Sequence, residues 1–293
     1  MNLFKNLDLK NVLGMNRRNL EFVYPNNKRK YFDYANDKLL TKKTLSKAKL
    51  NIPETFFTVS YFYELNNLED ELKKHKNFVI KPASGSGGNG IIVISGYSDG
   101  MWISISSKKY SFEKIKKHIA DIIFGVYSFG LSDTAIIEER IFQHKTITHL
   151  SPQGLADIRM INYKGINVKA MLRIATKESD GKANLHQGGI GVAIDIKKGN
   201  TFLAQIDGSD VTHHPDTDIC LIDVSIPFWK DICTLCEETA SLIPMGYLGI
   251  DIALSENGPV VLEVNARPGI EIQNVSDEGM LGLLHEIDRK LNL

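Results

Sequence analysis

Strand patterns dominate the chain, and a few helical patterns interrupt them. A helix is predicted from Asp37, a plausible N-cap, to about Ala48, and others over LEDELKKHK, SFEKIKKHIADIIFGVY, Phe228–Ile243 and Glu278–Leu291. The predicted strands are TFFTVSYF, FVI, IIVISGY, MWISIS, TAIIEERI, DIRMINYKG, NVKAMLRIAT, GVAIDIK, TFLAQ, YLGIDIAL and PVVLEVNA. These elements predict an α+β protein with mainly antiparallel sheets.

The division into domains is predicted from changes in pattern, because the chain has no internal repeat, low-complexity tract or long linker. Residues 1–36 are polar and weakly periodic, which predicts a short, irregular lead-in. Residues 37–135 mix helices and strands around a glycine-rich stretch, and residues 136–293 contain mostly strands. We therefore expect two lobes, 37–135 and 136–293, after the lead-in.

The charge balance narrows the class of partner. The 293 residues include 35 basic and 35 acidic side chains, which argues against a nucleic-acid binder or an anionic-membrane binder. No apolar run approaches the roughly 18 residues that span a bilayer, and the N-terminus lacks the apolar segment of a signal peptide. A cytoplasmic protein without membrane insertion is expected, and a homo-oligomer is left open.

Three cysteines, Cys220, Cys233 and Cys236, are too few and too clustered for a disulfide framework. Cys233 and Cys236 form a C-x-x-C pair, but apolar residues recur around them at helical spacing and no second pair follows. They are predicted to be buried helix cysteines rather than zinc or redox ligands.

A glycine-rich loop follows a predicted strand that ends in a lysine. The stretch FVIKPASGSGGNGIIVI places Lys81 at the strand end and a loop from Ser84 to Gly90 after it, with Gly87 and Gly88 in its middle. Glycines adopt backbone angles closed to other residues, so that successive N–H groups can point at one phosphate. Lys81 would add a positive charge beside them.

Two common phosphate-binding motifs do not fit this loop. No Gly-Lys-Ser/Thr follows, as a Walker loop requires, and the next element is a strand rather than the helix of a dinucleotide-binding motif. From the loop alone, a flexible hairpin connection remains an equal alternative.

Two strands near the C-terminus bring carboxylates together. Alternation in YLGIDIAL and PVVLEVNA places these residues on an apolar face: Leu248, Ile250, Ile252, Leu254, Val260, Leu262 and Val264. The opposite face carries Asp251, Glu263 and Asn265. A hairpin with a three-residue loop ending at Gly258 would align the apolar faces and set Asp251 directly across from Glu263.

Carboxylates that face each other across a sheet repel, and a divalent cation between them would offset the repulsion. Asn265 adds a neutral oxygen, and an all-oxygen set suits Mg²⁺, which keeps waters and phosphate oxygens as further ligands. The alternative is a solvated face with ordinary acidic residues. Together with the glycine loop and Lys81, a magnesium site here predicts a bound nucleoside triphosphate.

The order of these features resembles the ATP-grasp superfamily, and more closely its alpha-L-glutamate ligase-like, RimK-related branch. The likeness rests on GMNRRNLEF, NDKLLTK, FVIKPASGSGGNG, LRIATKESDGKANLHQGGIGVAID, GYLGIDI and VVLEVNARPGIEIQ, which cover nearly the whole chain. It implies an ATP-grasp fold of two α+β lobes whose antiparallel sheets enclose the nucleotide.

The resemblance also implies a nucleotide site, made of Lys38, Lys81, Ser84, Gly87, Gly88, Glu138, Glu139, Ile141, Asp157 and Asn184. Lys38 and Lys81 match the two lysines that meet ATP phosphates. Glu138 would accept a hydrogen bond from the exocyclic amine of adenine, and Glu139 and Ile141 would offer main-chain groups. Asp157 matches an acidic position near the ribose.

Metal and catalytic roles follow from the same likeness. Asp251, Glu263 and Asn265 match the ligands of the metal, Mg²⁺ or alternatively Mn²⁺. Arg173 matches a cation that touches the transferred phosphoryl group, with Lys81 beside it. Arg267 and Arg159 would contact phosphate or an acidic substrate.

Several of these residues have simpler interpretations. Lys38 would otherwise be a solvated helix residue, and Glu138 and Glu139 would be strand-end charges. Arg159 is as readily a structural ion-pair partner as a substrate contact. His186 is predicted to order its loop or touch substrate rather than to act as a general base.

The N-terminus departs from the family pattern, in which a full α/β lobe often precedes the ATP-binding lobes. Only about 36 residues precede Asp37, too few for such a lobe, so the lobe is reduced and the acceptor site must be built differently. We expect Asn16, Arg17, Arg18 and Asn19 to fold against the cleft.

The resemblance implies an ATP-dependent carboxylate–amine ligase acting through an acyl phosphate, with a glutamate-type amino acid among its candidate substrates. The partners would be small-molecule or peptide carboxylates and amines. Two alternatives stay open: a phosphotransferase that stops at a phosphorylated product, and an ATP-binding regulatory module without chemistry.

Overall fold

The computed structural model describes residues 9–85, 87–179 and 181–291. Residues 1–8 of the predicted lead-in, Ser86 of the glycine loop and Asp180 therefore lie outside the described residues. The chain divides into two units. The smaller unit contains Asp37–Leu39 and Pro53–Ile141, and the larger contains the described residues up to Asn36, Leu40–Ile52 and the chain from Phe142 onward.

The described residues form strands, helices and short helical turns. The strands are β1 (Thr55–Val59), β2 (Phe78–Pro82), β3 (Ile92–Ser98), β4 (Met101–Ser104), β5 (Lys109–Tyr110), β6 (Ala135–Glu139), β7 (Asp157–Tyr163), β8 (Ile166–Ile174), β9 (Ile190–Ile194), β10 (Thr201–Ile206), β11 (Ser209–Val211), β12 (Tyr247–Ser255) and β13 (Gly258–Asn265). The longer helices are α1 (Lys38–Lys47), α2 (Leu68–Lys73), α3 (Phe112–Ile123), α4 (Lys145–Leu150), α5 (Trp229–Leu242), α6 (Ile272–Ser276) and α7 (Leu281–Lys290). Turns of 3₁₀ helix lie at Phe62–Asn67 and Leu185–Gln187.

The smaller unit is built on a six-stranded antiparallel sheet with the order β1-β6-β2-β3-β4-β5. Helix α3 begins after Ser111, whose side chain accepts a hydrogen bond from the Lys114 amide. Its residues Ile115, Ile119 and Ile122 recur at helical spacing and are fully buried in the core of this unit. The amphipathic pattern predicted for this segment is confirmed.

The larger unit is built on a seven-stranded antiparallel sheet with the order β11-β10-β9-β8-β7-β12-β13. One face buries a core with α5, and the other buries a second core with α6, α7 and the N-terminal residues. Because both faces are covered, β12 is buried along nearly its whole length. The predicted α+β class with antiparallel sheets is confirmed.

The domain boundaries differ from the predicted ones at both ends of the smaller unit. β6 pairs with β1 and β2, so the chain leaves this unit after Ile141 rather than at residue 135. Most of α1 belongs instead to the larger unit, because Leu45 is buried in its core and Asn51 accepts a hydrogen bond from Val261.

The predicted irregular lead-in is wrong for the described residues after Gly14. Met15–Arg17 is α-helical, Arg18–Val23 is π-helical, and Tyr24–Asn26 continues as α-helix. Short turns follow at Arg29–Tyr31 and Asp33–Asn36, and one precedes them at Leu9–Asn11. Phe22 and Val23 are buried in the second core of the larger unit, so this segment is part of the fold despite its polar sequence.

Two further predictions meet the structure near the C-terminus. The predicted final helix, Glu278–Leu291, is confirmed as α7, and the short helix α6 before it was not predicted; Asp277, between the two helices, adopts a left-handed conformation. Cys233 and Cys236 lie on α5 as unpaired thiols, Cys236 fully buried, which confirms helix cysteines. Within the described ranges, no helix combines the length and apolarity needed to cross a membrane.

Candidate functional site

The glycine loop of the smaller unit is held at its start by a lysine and an aspartate. Lys38 Nζ donates to the Gly85 carbonyl at 2.6 Å, and its backbone N–H donates to Ala83. The backbone N–H of Ser84 lies 3.1 Å from both carboxylate oxygens of Asp133. Lys38 is therefore not a solvated helix residue, since its ammonium group lies against the loop that the sequence associates with phosphate.

The far end of the loop is fixed by an aromatic ring and a histidine. Gly90 has a φ of +77°, and a Cβ there would lie 2.7 Å from the ring of Tyr127. The Gly90 carbonyl is 2.8 Å from His118 Nε2. Burial lowers the pKa of His118, which keeps it neutral at pH 7. Gly87 and Gly88 also have positive φ, so the loop uses the freedom of its glycines.

Lys81 and Glu138 form a buried ion pair on neighbouring strands. Their Nζ and Oε1 atoms are 2.5 Å apart, and the two residues are 7% and 3% exposed. Glu138 therefore already has a charged partner in this structure. A strand-end charge, the simpler interpretation of Glu138, is excluded by its burial inside β6.

The segment predicted to receive adenine ends β6. The backbone N–H of Glu139 donates to the Glu54 carbonyl at 2.8 Å, so this N–H is not available to a base. That Glu139 and Ile141 offer main-chain groups to adenine stays a prediction, which for Glu139 now concerns its carbonyl group. Ile141 is half-buried and is the last residue of the smaller unit.

In the larger unit, charged side chains form a row across four adjacent strands. Arg173 on β8 pairs with Asp157 on β7, and Arg159 on β7 pairs with Asp251 on β12. Asp251 in turn pairs with Glu263 on β13. Five predicted side chains are thus collected on one sheet by strand register alone.

Asp251 is the centre of this row. It is 2% exposed and accepts hydrogen bonds from Arg159 Nε and, at 2.8 Å, from Arg159 Nη2. Arg173 Nη2 donates to it at 2.8 Å. Burial opposes ionisation of Asp251, but the two guanidinium groups outweigh it and lower the pKa of its carboxyl group. Arg159 is therefore an ion-pair partner in this structure, which is one of the two roles that the sequence left open for it.

Arg173 links Asp251 to a second buried carboxylate. Its Nε donates to Asp157 Oδ1 at 2.6 Å. Burial raises the pKa of Asp157 to about 6, assisted by repulsion from Asp251 and opposed by attraction from Arg173. Asp157 lies next to Arg173 rather than apart from it, so its predicted place near a ribose remains untested.

The raised pKa of Asp157 predicts a pH dependence of stability. The native carboxyl binds a proton up to about pH 6 and the unfolded one only up to about 3.8, so the native state holds more protons between these values. The contribution of Asp157 to stability should therefore fall as pH rises from 4 to 6.5, by up to about 3 kcal/mol at roughly 1.4 kcal/mol per tenfold change in proton affinity.

Urea unfolding of the wild type and of Asp157→Asn at pH 4, 5, 6 and 7 measures this effect. The difference in unfolding free energy between the two proteins should change over this window, because only the wild type titrates at position 157. A constant difference from pH 4 to 7 would contradict the assignment of a raised pKa to Asp157.

The hairpin of β12 and β13 reaches the predicted carboxylate pairing by a different route. Ser255 pairs with Gly258, so the loop holds two residues rather than three. A bulge opposite Asp251 and Ile252 then shifts the register, and Asp251 still faces Glu263. The bulge also places Val261 with Val264 in the core, whereas the sequence pattern predicts Leu262 there; Val260 is buried as predicted.

Asn265 lies beside both carboxylates. Its Nδ2 is 3.4 Å from Asp251 Oδ2 and 3.4 Å from Glu263 Oε1. The three side chains predicted to bind metal are therefore together, and their chemistry, two carboxylates and an amide, fits Mg²⁺. The residues described contain no cluster of three His, Cys, Asp or Glu side chains arranged to hold a metal, so the amide is essential to this set.

Asp251 fits a metal only with a change of partners. A carboxylate has about four lone-pair sites, and four N–H donors from Arg159, Arg173 and Asn265 already occupy them. In the structure, two arginines neutralise the charge of Asp251, whereas the sequence alone predicts that a metal ion does so. Glu263 and Asn265 are the members of the set that are only half-buried.

The remaining predicted residues lie on loops of the larger unit. Asn184 Oδ1 accepts from the His186 backbone N–H at 3.1 Å and so caps a short 3₁₀ turn. His186 Nε2 lies 3.4 Å from Glu271 Oε1, consistent with a loop-ordering role. Arg267 is exposed and lies over the rings of Tyr24 and Phe32.

Sequence reasoning missed two buried polar residues that shape these sites, Asp133 and Asn27, and named Arg18 without its partner. Asp133 binds the start of the glycine loop, and Arg18 and Asn27 bind the segment after Asn265. Asp133 follows a Gly/Ser-rich stretch that reads as an ordinary loop. Each makes contacts 49 or more positions away in sequence, and no local pattern signals such contacts.

Comparison with known proteins supports the resemblance. A family model described as sugar-transfer associated ATP-grasp matches residues 17–289. Curated relatives named probable alpha-L-glutamate ligase include those of Vibrio vulnificus, 22% identical over 87% of this chain, and Psychromonas ingrahamii, 24% identical over 87%. The chain spans 64% of the length of each of these relatives.

Among solved structures, a D-alanine–D-alanine ligase from Bacillus anthracis superposes with a TM-score of 0.49 at 14% identity, covering 88% of this chain and 68% of that one. The family match spans both units and contains every predicted site residue. The chain therefore belongs to the sugar-transfer associated ATP-grasp family.

Proposed function

We propose that the chain is an ATP-dependent carboxylate–amine ligase that forms an amide bond and releases ADP and phosphate. The observation that carries this proposal is the arrangement of Asp251, Glu263 and Asn265 beside the half-buried arginine Arg173. A protein that only senses ATP has no need of such a set. The curated relatives carry the name glutamate ligase, which supports an acidic amino acid as one substrate.

The smaller unit would bind the nucleotide. Lys38 and Lys81 supply positive charge for phosphates, and the N–H groups around Gly87 and Gly88 supply donors without side-chain bulk. For Lys81 to reach a phosphate it must share its ammonium group with Glu138, which then keeps it oriented. Glu138 and Ile141 would contact adenine.

The larger unit would hold the metal and the reacting groups. Glu263 and Asn265 would bind Mg²⁺, or Mn²⁺, which accepts the same donors, and Asp251 would join them if Arg173 moved to substrate. The metal, when bound, offsets the negative charge of the triphosphate. Arg173 would neutralise the phosphoryl group during its transfer, because a guanidinium group presents several fixed donors to phosphate.

In the proposed reaction a substrate carboxylate oxygen attacks the γ-phosphorus of ATP, and the bond to ADP breaks. The amine of the second substrate then attacks the acyl carbon, loses a proton and expels phosphate. The chain's residues position charge and exclude water rather than exchange protons at the first step.

A reaction that consumes ATP would take place in the cytoplasm. The acid and amine would be small molecules or peptides, and a homo-oligomer remains part of the proposal.

Hydroxylamine trapping tests this function. The protein, Mg·ATP and pools of amino acids or dipeptides are incubated with hydroxylamine, and ADP and hydroxamate are measured together. A ligase yields both in equal amounts, since hydroxylamine captures the acyl phosphate in place of the amine. ADP with a stable phosphorylated product and no hydroxamate would indicate a phosphotransferase. Tight ATP binding with no ADP release would indicate a regulatory module.

A further inference from the structure

The N-terminal segment of the larger unit contains an unusual helix. Arg18–Val23 forms a six-residue π-helix between two short α-helical pieces. Such widened turns are rare and often occur at functional sites. The segment is anchored, because Phe22 and Val23 are buried and Leu13 exchanges backbone hydrogen bonds with the side chain of Gln273.

Two buried side chains of this segment hold the chain that follows Asn265. Arg18 is 6% exposed, and its Nη1 donates to the Pro268 carbonyl at 2.6 Å. Asn27 is 2% exposed, and its Nδ2 donates to the Ala266 carbonyl at 2.9 Å and to the Tyr247 carbonyl at 2.7 Å. The turn from Ala266 to Pro268 is therefore fixed on both sides of Arg267.

Between these two anchors, Arg267 stacks on aromatic rings of the same segment. Its guanidinium carbon lies 4.9 Å from the ring centroid of Phe32 and 5.5 Å from that of Tyr24. Stacking fixes the plane of a guanidinium group and leaves the N–H donors on its edge able to bind a carboxylate in a bidentate manner.

Arg267 differs from the other arginines of the site. Arg159 and Arg173 are paired with aspartates, and Arg18 with carbonyl and amide oxygens. Arg267 is exposed, and among residues 9–85, 87–179 and 181–291 no salt bridge involves it. An oriented, exposed cation two residues after Asn265 is suited to an anionic ligand.

We propose that the N-terminal segment, residues 14–32, completes the acid-substrate site by positioning Arg267 to bind a carboxylate of that substrate. This inference rests on the proposed function and deepens it: the acid carries a second carboxylate besides the one that is activated. Arg18, Asn27, Tyr24 and Phe32 are positioning residues.

Isothermal titration of the full chain, saturated with Mg·ADP, tests the inference. The probes are malonate, succinate and glutarate, each compared with its diamide. The wild type should bind at least one dicarboxylate about tenfold or more tightly than its diamide. Arg267→Gln should remove this preference, and Arg267→Lys should restore only part of it, because an ammonium group neither stacks nor donates as a fork.

Tyr24→Leu and Phe32→Leu keep an apolar side chain but remove the ring, and they should weaken dicarboxylate binding about three- to tenfold. The affinity for Mg·ADP should stay within twofold of wild type in every variant. Arg17→Gln is the matched control, because Arg17 is an exposed arginine of the same N-terminal segment, and it pairs with Glu21. It should bind all probes as the wild type does.

The inference would be overturned if Arg267→Gln kept the wild-type preference for a dicarboxylate over its diamide, or if the wild type showed no such preference. Hydroxamate formation tests the ligase activity separately. Conversely, an Arg267-dependent preference in a protein that forms no hydroxamate would support the anion site and reject the ligase. A weakening in Arg17→Gln equal to that in Arg267→Gln would show a general loss of charge and would also overturn it.

Discussion

Replacing Asp251 with asparagine is expected to lower the free energy of unfolding by about 3–5 kcal/mol, the usual cost of breaking a buried ion pair from one side. The same change should abolish ATP turnover. The physical reason for the stability loss is that Arg159 and Arg173 would keep their charges in a buried position while losing the carboxylate that both contact. Urea unfolding at pH 7 and ADP release measure the two effects.

Glu263→Gln is the matched variant for the metal alone. Glu263 is half-buried at the end of the row of charges, so losing its charge should cost less than about 1 kcal/mol of stability. Turnover should nevertheless fall to background, because an amide binds Mg²⁺ far less well than a carboxylate. Normal turnover in Glu263→Gln would remove the metal assignment. Wild-type stability in Asp251→Asn would contradict the role given to the arginines.

Lys81→Met is expected to be destabilising by about 3–5 kcal/mol and to weaken ATP binding by about 100-fold. The stability loss arises because Glu138, 3% exposed, would be left buried without its cation. The loss of affinity arises because a positive charge beside the triphosphate is removed. Thermal unfolding and titration with Mg·ATP separate the two losses.

The double variant Lys81→Met/Glu138→Leu separates the loss of stability from the loss of ATP binding, and it also removes the contact proposed between Glu138 and adenine. Replacing both members of a buried pair by apolar groups is often neutral, so stability should return to within about 1–2 kcal/mol of wild type. ATP affinity should stay low. Recovery of ATP affinity in the double variant would mean that Lys81 serves the fold and not the nucleotide.

The sequence predicts most elements correctly because the strands and helices of both sheets carry local patterns of apolar residues. Alternation in β7, β8, β12 and β13 is clear, and Ser111 begins α3 as a capping residue should. The pairing of Asp251 with Glu263 is also predicted, although the turn that leads to it is shorter and the bulge absorbs the difference. Without the bulge, the two-residue turn would set Asp251 across from Leu262, so the pairing of the carboxylates depends on the bulge as well as on the alternation along the strands.

Other features depend on contacts that no local pattern encodes. Residues 15–26 look irregular in sequence because a π-helix has neither the α-helical period nor the strand period, and its burial comes from the far end of the chain. Arg159 could be assigned either to substrate or to structure until its distance to Asp251 was known. The partners of Glu138 and Asp133 are likewise set by packing of the smaller sheet.

The π-helix at Arg18–Val23 bears on how related chains that differ in length at this segment would fold. A π-turn holds about one residue more than an α-turn, so a related chain that lacked one residue here would form plain α-helix. The α-helical pieces on both sides would keep nearly the same facing, because six π-helical residues turn the chain through nearly the same angle as five α-helical ones. A one-residue gap at this place in a related chain is therefore compatible with the same anchoring of the Pro268 carbonyl, and the π-helix marks where such a gap is tolerated.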